Sequence, residues 1–89
     1  MTFEELRLQD LRDVRVLLAT REGARFFSRL VELTGLFSIS YEPGDATITA
    51  FNEGKRQIGL ELYADLMEAD PGAFRTLTEA GKERDTGQV

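Results

Sequence analysis

The segment 47–67, TITAFNEGKRQIGLELYADLM, is the longest part of the chain that a single amphipathic helix could span. Its apolar residues recur at helical spacing and form one stripe: Phe51, Ile58, Leu62 and Leu66, widened by Ile48, the Lys55 stem, Gly59, Tyr63 and Met67. Thr47 or Thr49 is placed to cap the start of this helix. Two glycines, Gly54 and Gly59, interrupt it, although a glycine inside a helix costs about 1 kcal/mol relative to alanine. The remaining elements have to pack around this long helix.

Two shorter helices are predicted before it. In residues 3–20, leucine and valine recur at three- and four-residue steps with charged residues between them, which is typical of an amphipathic helix. Thr20 can cap a second helix, and Gly35 lies where that helix would end. The apolar face of the second helix consists of Phe26, Phe27, Leu30, Val31 and Leu33. The short join at residues 19–22 favours an antiparallel pair of helices.

The segment 36–46, LFSISYEPGDA, has a different pattern. Phe37, Ile39 and Tyr41 alternate with polar residues, and this period of two is typical of a strand. Pro43-Gly44 suits a type II turn, after which Ile48 and Ala50 are placed to form an opposing strand. A short β-hairpin and an ordered loop are both open interpretations of this segment.

Asp70-Pro71 predicts the start of a fourth helix, with Asp70 as its cap and Pro71 as its first residue. The apolar face of this helix is Ala73, Phe74, Leu77 and Ala80. After Gly81 the sequence KERDTGQV shows no apolar periodicity. The predicted fold class is therefore mainly α: one small four-helix domain over residues 1–81, with a β-hairpin or ordered loop between helices 2 and 3, and a flexible tail at 82–89.

Composition narrows the chemistry that the chain can perform. It contains no cysteine and no histidine, which excludes disulfides, thiolate nucleophiles, imidazole bases and zinc sites built on Cys or His. Only an all-oxygen magnesium or calcium site is left open, and we expect no metal, no cofactor and no enzymatic activity. No apolar run approaches the roughly 18 residues that a membrane span requires. The net charge of −5 lies within residues 35–89 and opposes general binding to nucleic acid.

The central helix holds the first candidate site. Glycines tolerated inside a helix indicate that a backbone or a ligand approaches closely, and polar neighbours can supply contacts to it. The candidate interaction residues are Phe51, Asn52, Glu53, Gly54, Arg56 and Gly59. In the alternative interpretation, Gly54 lies in the first turn and Gly59 admits a neighbouring helix of the same chain.

Two charged clusters offer further candidates. Arg21, Arg25 and Arg29 recur every four residues and share one helix face, which could contact an anion or an acidic partner. Such a face is more often solvated or paired within the chain. Carboxylates cluster at Glu61, Asp65, Glu68 and Asp70. Glu61 and Asp65 share a helix face and could hold magnesium or act as an acid–base pair, although such residues more often form the solvated side of a helix. The aromatic residues Phe26, Phe27, Phe37, Phe51, Tyr63 and Phe74 are expected in the core, with one or two left as interface anchors.

Three segments follow one another in the chain: ARFFSRLVELTGLF, a polar Ser/Thr loop and TAFNEGKRQIGLELYADLMEADPGAF. In this order they resemble a family of small uncharacterised proteins of tailed phages and prophages. The likeness runs from about Asp13 to Ala80. It is carried by Arg25, Phe26, Leu30, Gly35, Phe37, Thr49, Phe51, Asn52, Glu53, Gly54, Arg56, Gly59, Leu60, Leu62 and Asp70-Pro71. The family is encoded among the virion structural genes of short-tailed phages.

The resemblance implies a context, the phage particle or its assembly. Within that context, the leading hypothesis is a non-enzymatic virion or particle-assembly accessory protein that acts by protein–protein docking. Its expected partners are a phage structural protein (portal, capsid or internal virion protein) or a second copy of the chain. It is expected in the host cytoplasm during assembly and in the virion. The alternative is a small helical nucleic-acid-binding regulator that uses the arginine face of helix 2.

Overall fold

The computed structural model describes residues 1–37 and 43–86, which form four helices. These are α1 (Phe3–Leu18), α2 (Arg21–Thr34), α3 (Ala46–Ala69) and α4 (Ala73–Asp85). No strand occurs within these two ranges. The predicted fold class, a mainly α four-helix domain, is confirmed.

Local signals around α2 act as predicted. The Thr20 hydroxyl accepts a hydrogen bond from the Gly23 amide at 2.9 Å, and Gly35 ends the helix in the left-handed conformation with φ of 69°. Helix α1 ends at Leu18, earlier than the predicted residue 20, because Thr20 adopts the extended backbone of a cap. At the other end of the chain, α4 continues past Gly81 to Asp85. Residues 87–89 lie outside the described ranges, so flexibility there stays a prediction.

The predicted cap of the central helix is wrong. Asp45, not Thr47 or Thr49, caps α3: its carboxylate accepts from the Ile48 amide at 2.9 Å. The Thr49 hydroxyl donates to the Asp45 carbonyl at 3.0 Å from inside the first turn. Asp45 follows directly after Pro43-Gly44, where Gly44 has φ of 79° as a type II turn requires, so the helix starts as soon as the turn ends.

The hairpin alternative loses its second strand, because Ile48 and Ala50 lie in α3. The predicted alternation at 38–42 lies outside the described residues.

The predicted start of the fourth helix is also wrong. Asp70 ends α3, and its carboxylate accepts from the Gly72 amide at 2.9 Å, while the Asp70 carbonyl accepts from the Ala73 amide. Asp70 and Pro71 therefore form a turn between the two helices, and α4 begins at Ala73 with Gly72 in the cap position. The side chain that was expected to cap a helix closes the preceding turn instead.

The core lies where all four helices meet. Leu66 of α3 is fully buried at its centre. The other buried members are Leu18, Phe27, Val31, Leu36, Ala73 and Leu77, with Val14, Leu30, Leu62, Tyr63 and Met67 packed against them. Of the phenylalanines expected in the core, only Phe27 is buried. Phe26, Phe37, Phe51 and Phe74 are all more than half exposed, which corrects the prediction for these four.

Ion pairs connect helices that are distant in sequence. Arg7 on α1 contacts Asp65 at 2.8 Å and Glu68 at 2.7 Å on α3, and its hydrogen bonds to these two carboxylates raise the pKa of the guanidinium. Helices α2 and α4 are joined by Arg21 with Glu83 and by Arg84 with Glu32, each at 3.2 Å. All of these side chains are partly exposed to solvent, so each pair stabilises the packing only weakly.

The domain is flat and open. Its extents are 44 × 40 × 16 Å and its radius of gyration is 14.9 Å, where a compact chain of this length has about 12 Å. The accessible surface is 6452 Å², whereas a compact monomer of 10.0 kDa exposes about 5,200 Å². The chain thus exposes roughly 1,200 Å² more than a compact fold of its mass would. The core is small and several phenylalanines are exposed because the fold is flat.

Candidate docking surface

In the first half of α3, as in residues 3–17 of α1, apolar side chains are exposed and no residue is buried. None of residues 46–58, all of which the structure describes, is buried, whereas residues 59–69 include buried Gly59, Leu66 and Ala69. The first half extends for about 20 Å at the rise of an α-helix. The longest helix therefore has a half in which its own chain fully buries no residue.

The apolar stripe of α3 extends beyond the part of the helix that contains buried residues. Ile48, Phe51, Lys55 and Ile58, called here the α3 seam, follow one another at steps of three, four and three residues. Leu62 continues this spacing into the core. Ile48 is 45% exposed, Phe51 65% and Ile58 63%. The Lys55 ammonium lies 5.2 Å from the centre of the Phe51 ring, within the range of a cation–π contact.

The first half of α3 begins with many residues of low intrinsic helix propensity. Its first nine residues, ATITAFNEG, include two threonines, isoleucine, phenylalanine, asparagine and glycine, all weaker helix formers than alanine. Isolated helices shorter than about 12–15 residues are marginal in water even when their sequences favour helix. A helix with this composition normally depends on packing along its apolar face. The α3 seam is the face on which that packing would occur.

The two glycines of α3 have different environments. A Cβ atom added to Gly59 would overlap the Thr34 hydroxyl and lie 2.8 Å from the Thr34 Cβ and 3.2 Å from the Leu36 Cβ. Gly59 therefore permits the close approach of α2 within the same domain. A Cβ atom on Gly54 would meet nothing within 4 Å. Only Gly54 offers an open backbone surface to another molecule, and it lies between Phe51 and Ile58 on the helix.

The other predicted interaction residues lie in the same half of α3 as the seam. Glu53 and Arg56 form a 3.5 Å ion pair along the helix, and Asn52 is half-buried. The set Phe51, Asn52, Glu53, Gly54, Arg56 and Gly59 thus divides: Gly59 faces the interior, while the remainder occupy the uncovered half. The sequence-based set omitted Ile48, Lys55 and Ile58. Together with Phe51 they are spaced at three, four and three residues, and this spacing is the signal that identifies them.

The arginine face of α2 is partly engaged in the fold. Arg21 pairs with Glu83 of α4, Arg25 is half-buried and Arg29 is exposed. The acidic cluster is engaged as well, because Asp65 and Glu68 both bind Arg7 and Asp70 closes a turn. Within residues 1–37 and 43–86, no group of three or more acidic side chains is arranged to hold a metal ion. No helix in these ranges is both long enough and apolar enough to cross a membrane.

A concave surface lies between α2, α3 and α4. It is a groove of about 290 Å³ with an aromatic wall. Tyr63 stands at its centre and makes edge-on contacts with Phe37 and Phe74, at ring distances of 5.8 and 6.5 Å. These contacts account for part of the burial of each ring, and they anchor the turn after α2 against α3.

The comparisons with known proteins agree with the sequence resemblance. A family model described as "Bbp19-like phage protein" matches residues 14–79, which is 66 of the 89 residues. The match includes the whole of α2 and α3, and therefore the α3 seam. No curated protein and no solved structure matched the chain.

Proposed function

The chain belongs to this family of phage proteins, and on that premise we propose that it is a non-enzymatic accessory protein of the virion or of its assembly. It acts by protein–protein docking through the α3 seam. Its partner is a structural component of the particle (portal, capsid or internal virion protein) or a second copy of the chain. It works in the host cytoplasm during assembly and in the virion.

The observation that carries this proposal is the uncovered half of α3. Ile48, Phe51 and Ile58 continue the stripe that Leu62 and Leu66 bury inside the domain, yet they remain 45–65% exposed. Exposed apolar side chains that share one face with an open glycine are typical of a protein-binding surface rather than of a free helix face.

The side chains available for chemistry support a non-enzymatic role. Histidine and cysteine do not occur in the chain. Of the clustered carboxylates, Asp65 and Glu68 are bound to Arg7, within a contact that joins α1 to α3. These acids therefore have a structural partner, as charges on a helix surface commonly do.

The nucleic-acid alternative has weaker support. The arginine face of α2 was expected to contact the phosphates, and within the fold Arg21 contacts Glu83. The net charge of −5 also opposes a phosphate backbone. Binding of duplex DNA at low salt, lost steeply as salt is raised, would favour this alternative over docking.

Co-purification with individual particle components tests the proposal. The chain is co-expressed with the portal, the capsid protein and the internal virion proteins of its own phage, and purified particles are examined by mass spectrometry. We expect capture by one component that Phe51→Lys abolishes and Leu8→Lys preserves. Leu8 is a matched control, because it is 67% exposed on α1 and receives the same change of charge. Capture by none of these components, with a chain that also does not bind itself, would contradict the proposal.

A further inference from the structure

We propose that the α3 seam is occupied by the same seam of a second copy of this chain, in an antiparallel pair related by a two-fold axis. The inference rests on the proposed function only in taking the seam as a docking surface; it names the occupant. A two-fold interface places the same patch on both copies, so the patch has to be complementary to itself. The α3 seam meets this condition.

Its spacing defines the arrangement. Steps of three, four and three residues are those of the first and fourth positions of a heptad, the seam along which two helices pack in a coiled coil. In an antiparallel pair centred between Phe51 and Lys55, Ile48 of one copy faces Ile58 of the other, and Phe51 faces Lys55. The pair then has four layers. In two of them isoleucine packs on isoleucine, and in the other two the Phe51 ring packs on the Lys55 ammonium.

The chemistry of each layer favours this pairing. Lys55 already lies near a Phe51 ring within its own helix, so the same contact can form between copies. A parallel pair in register would instead place Lys55 against Lys55 in a desolvated layer, where like charges repel. The antiparallel direction is thus the one in which no layer of the seam opposes two like charges.

The charges beside the seam permit self-association despite the acidic chain. Residues 45–58 contain Asp45 and Glu53 against Lys55 and Arg56, so this segment is neutral while the whole chain carries −5. Glu53 lies on the side of the helix opposite the seam and pairs with Arg56. The acidic residues Asp65 and Glu68 lie in the other half of α3, beside Arg7. Repulsion between copies is therefore lowest where the seams would meet.

Self-association of the full chain, measured by sedimentation equilibrium, is the test. We expect a wild-type dimer, and we expect Phe51→Lys to weaken it by roughly tenfold or more, since Lys would face Lys55 in two layers. Phe51→Glu should weaken it less than Phe51→Lys, because glutamate would face Lys55 as an opposite charge. Leu8→Lys and Leu8→Glu are the matched controls on α1 and should leave the dimer unchanged. All of these positions are exposed, so each variant should keep the circular dichroism spectrum of the wild-type monomer at high dilution.

Crosslinking tests the register, and the absence of native cysteine makes it clean. A mixture of Ile48→Cys and Ile58→Cys chains should crosslink with a short bismaleimide, whereas Ile48→Cys alone should not.

A monomeric wild type, or a dimer that Phe51→Lys leaves intact, would overturn the inference. If the wild type is monomeric but Phe51→Lys still abolishes capture by a particle component, the inference falls and the proposed function stands. If neither self-association nor capture occurs, both fall.

Discussion

The two halves of α3 carry the same apolar stripe but differ in what covers it. In the second half, Leu66 and Ala69 are buried and Leu62 is partly buried against the core. In the first half, Ile48, Phe51 and Ile58 meet solvent. The comparison shows that the periodicity of a stripe records the need for a packing partner, but not whether the partner belongs to the same chain.

The largest difference between the halves should appear when their apolar side chains are truncated. Leu66→Ala should lower the free energy of unfolding by about 2–5 kcal/mol, because Leu66 is fully buried and a cavity would remain. Ile58→Ala in dilute protein should lower it by less than about 1 kcal/mol, because most of this side chain already contacts water. Urea denaturation followed by circular dichroism measures both. Equal losses would show that Ile58 is packed within the monomer.

Replacing each glycine of α3 by alanine tests the same difference between the two halves of the helix. Gly59→Ala should destabilise the domain by about 1–3 kcal/mol, because the new methyl group overlaps Thr34. Thr34 cannot rotate away freely, since its hydroxyl donates to the Val31 carbonyl at 2.6 Å. Gly54→Ala should stabilise the domain by about 0.5–1 kcal/mol, because open space surrounds it and alanine favours helix. Thermal unfolding shifts of the same sign for both variants would contradict this account.

The cap at the start of α3 should matter mainly to the first half. Asp45→Ala removes the acceptor of the Ile48 amide and should cost about 1 kcal/mol of local helix stability. We expect faster amide exchange in the first turns of α3 and little change in its second half. Thr20→Ala, which removes the equivalent cap of α2, is the control: α2 packs into the core, so its exchange should change together with global stability. Uniform acceleration in Asp45→Ala would indicate that the two halves form one cooperative unit.

The smallest expected effect concerns the ion pairs of the supported half. Arg7→Gln removes contacts to Asp65 and Glu68 and should lower the free energy of unfolding only slightly, since all three side chains are partly exposed. High salt should reduce the difference between wild type and variant, because it screens surface charges. A difference of unfolding free energy that does not depend on salt would assign the effect to packing of the Arg7 stem instead.

Local signals predicted the fold where a single side chain or backbone conformation decides the outcome. Thr20 and Gly35 bound α2 as expected, because a hydroxyl cap and a left-handed glycine act through neighbouring residues alone. The cap of α1 followed the same rule: Thr2 accepts from the Glu5 amide at 3.1 Å, and the pattern Thr-x-x-Glu could have identified it. Predictions went wrong where two signals competed. Asp70 was equally suited to a turn and to a cap, and the turn won.

The candidate site depended on information that a sequence does not hold. Gly54 and Gly59 look alike in the sequence, and only the position of Thr34 shows that one is used by the chain itself. Four of the five phenylalanines expected in the core are exposed, because the helices form a layer 16 Å thick instead of a bundle that encloses them. The stripe of α3 was predictable from its spacing. Where its cover ends was not, since it depends on how far the other three helices reach along α3.

The measurement that tests the central claim most directly is amide hydrogen exchange along α3 in dilute, purified protein. If the first half depends on support from outside its own chain, amides in residues 50–58 should exchange much faster than those in 62–69, where the core protects them. Raising the protein concentration, or adding the partner, should slow exchange in the first half alone. Equal protection of both halves in dilute protein would show that the domain holds all of α3 by itself, and would contradict the claim.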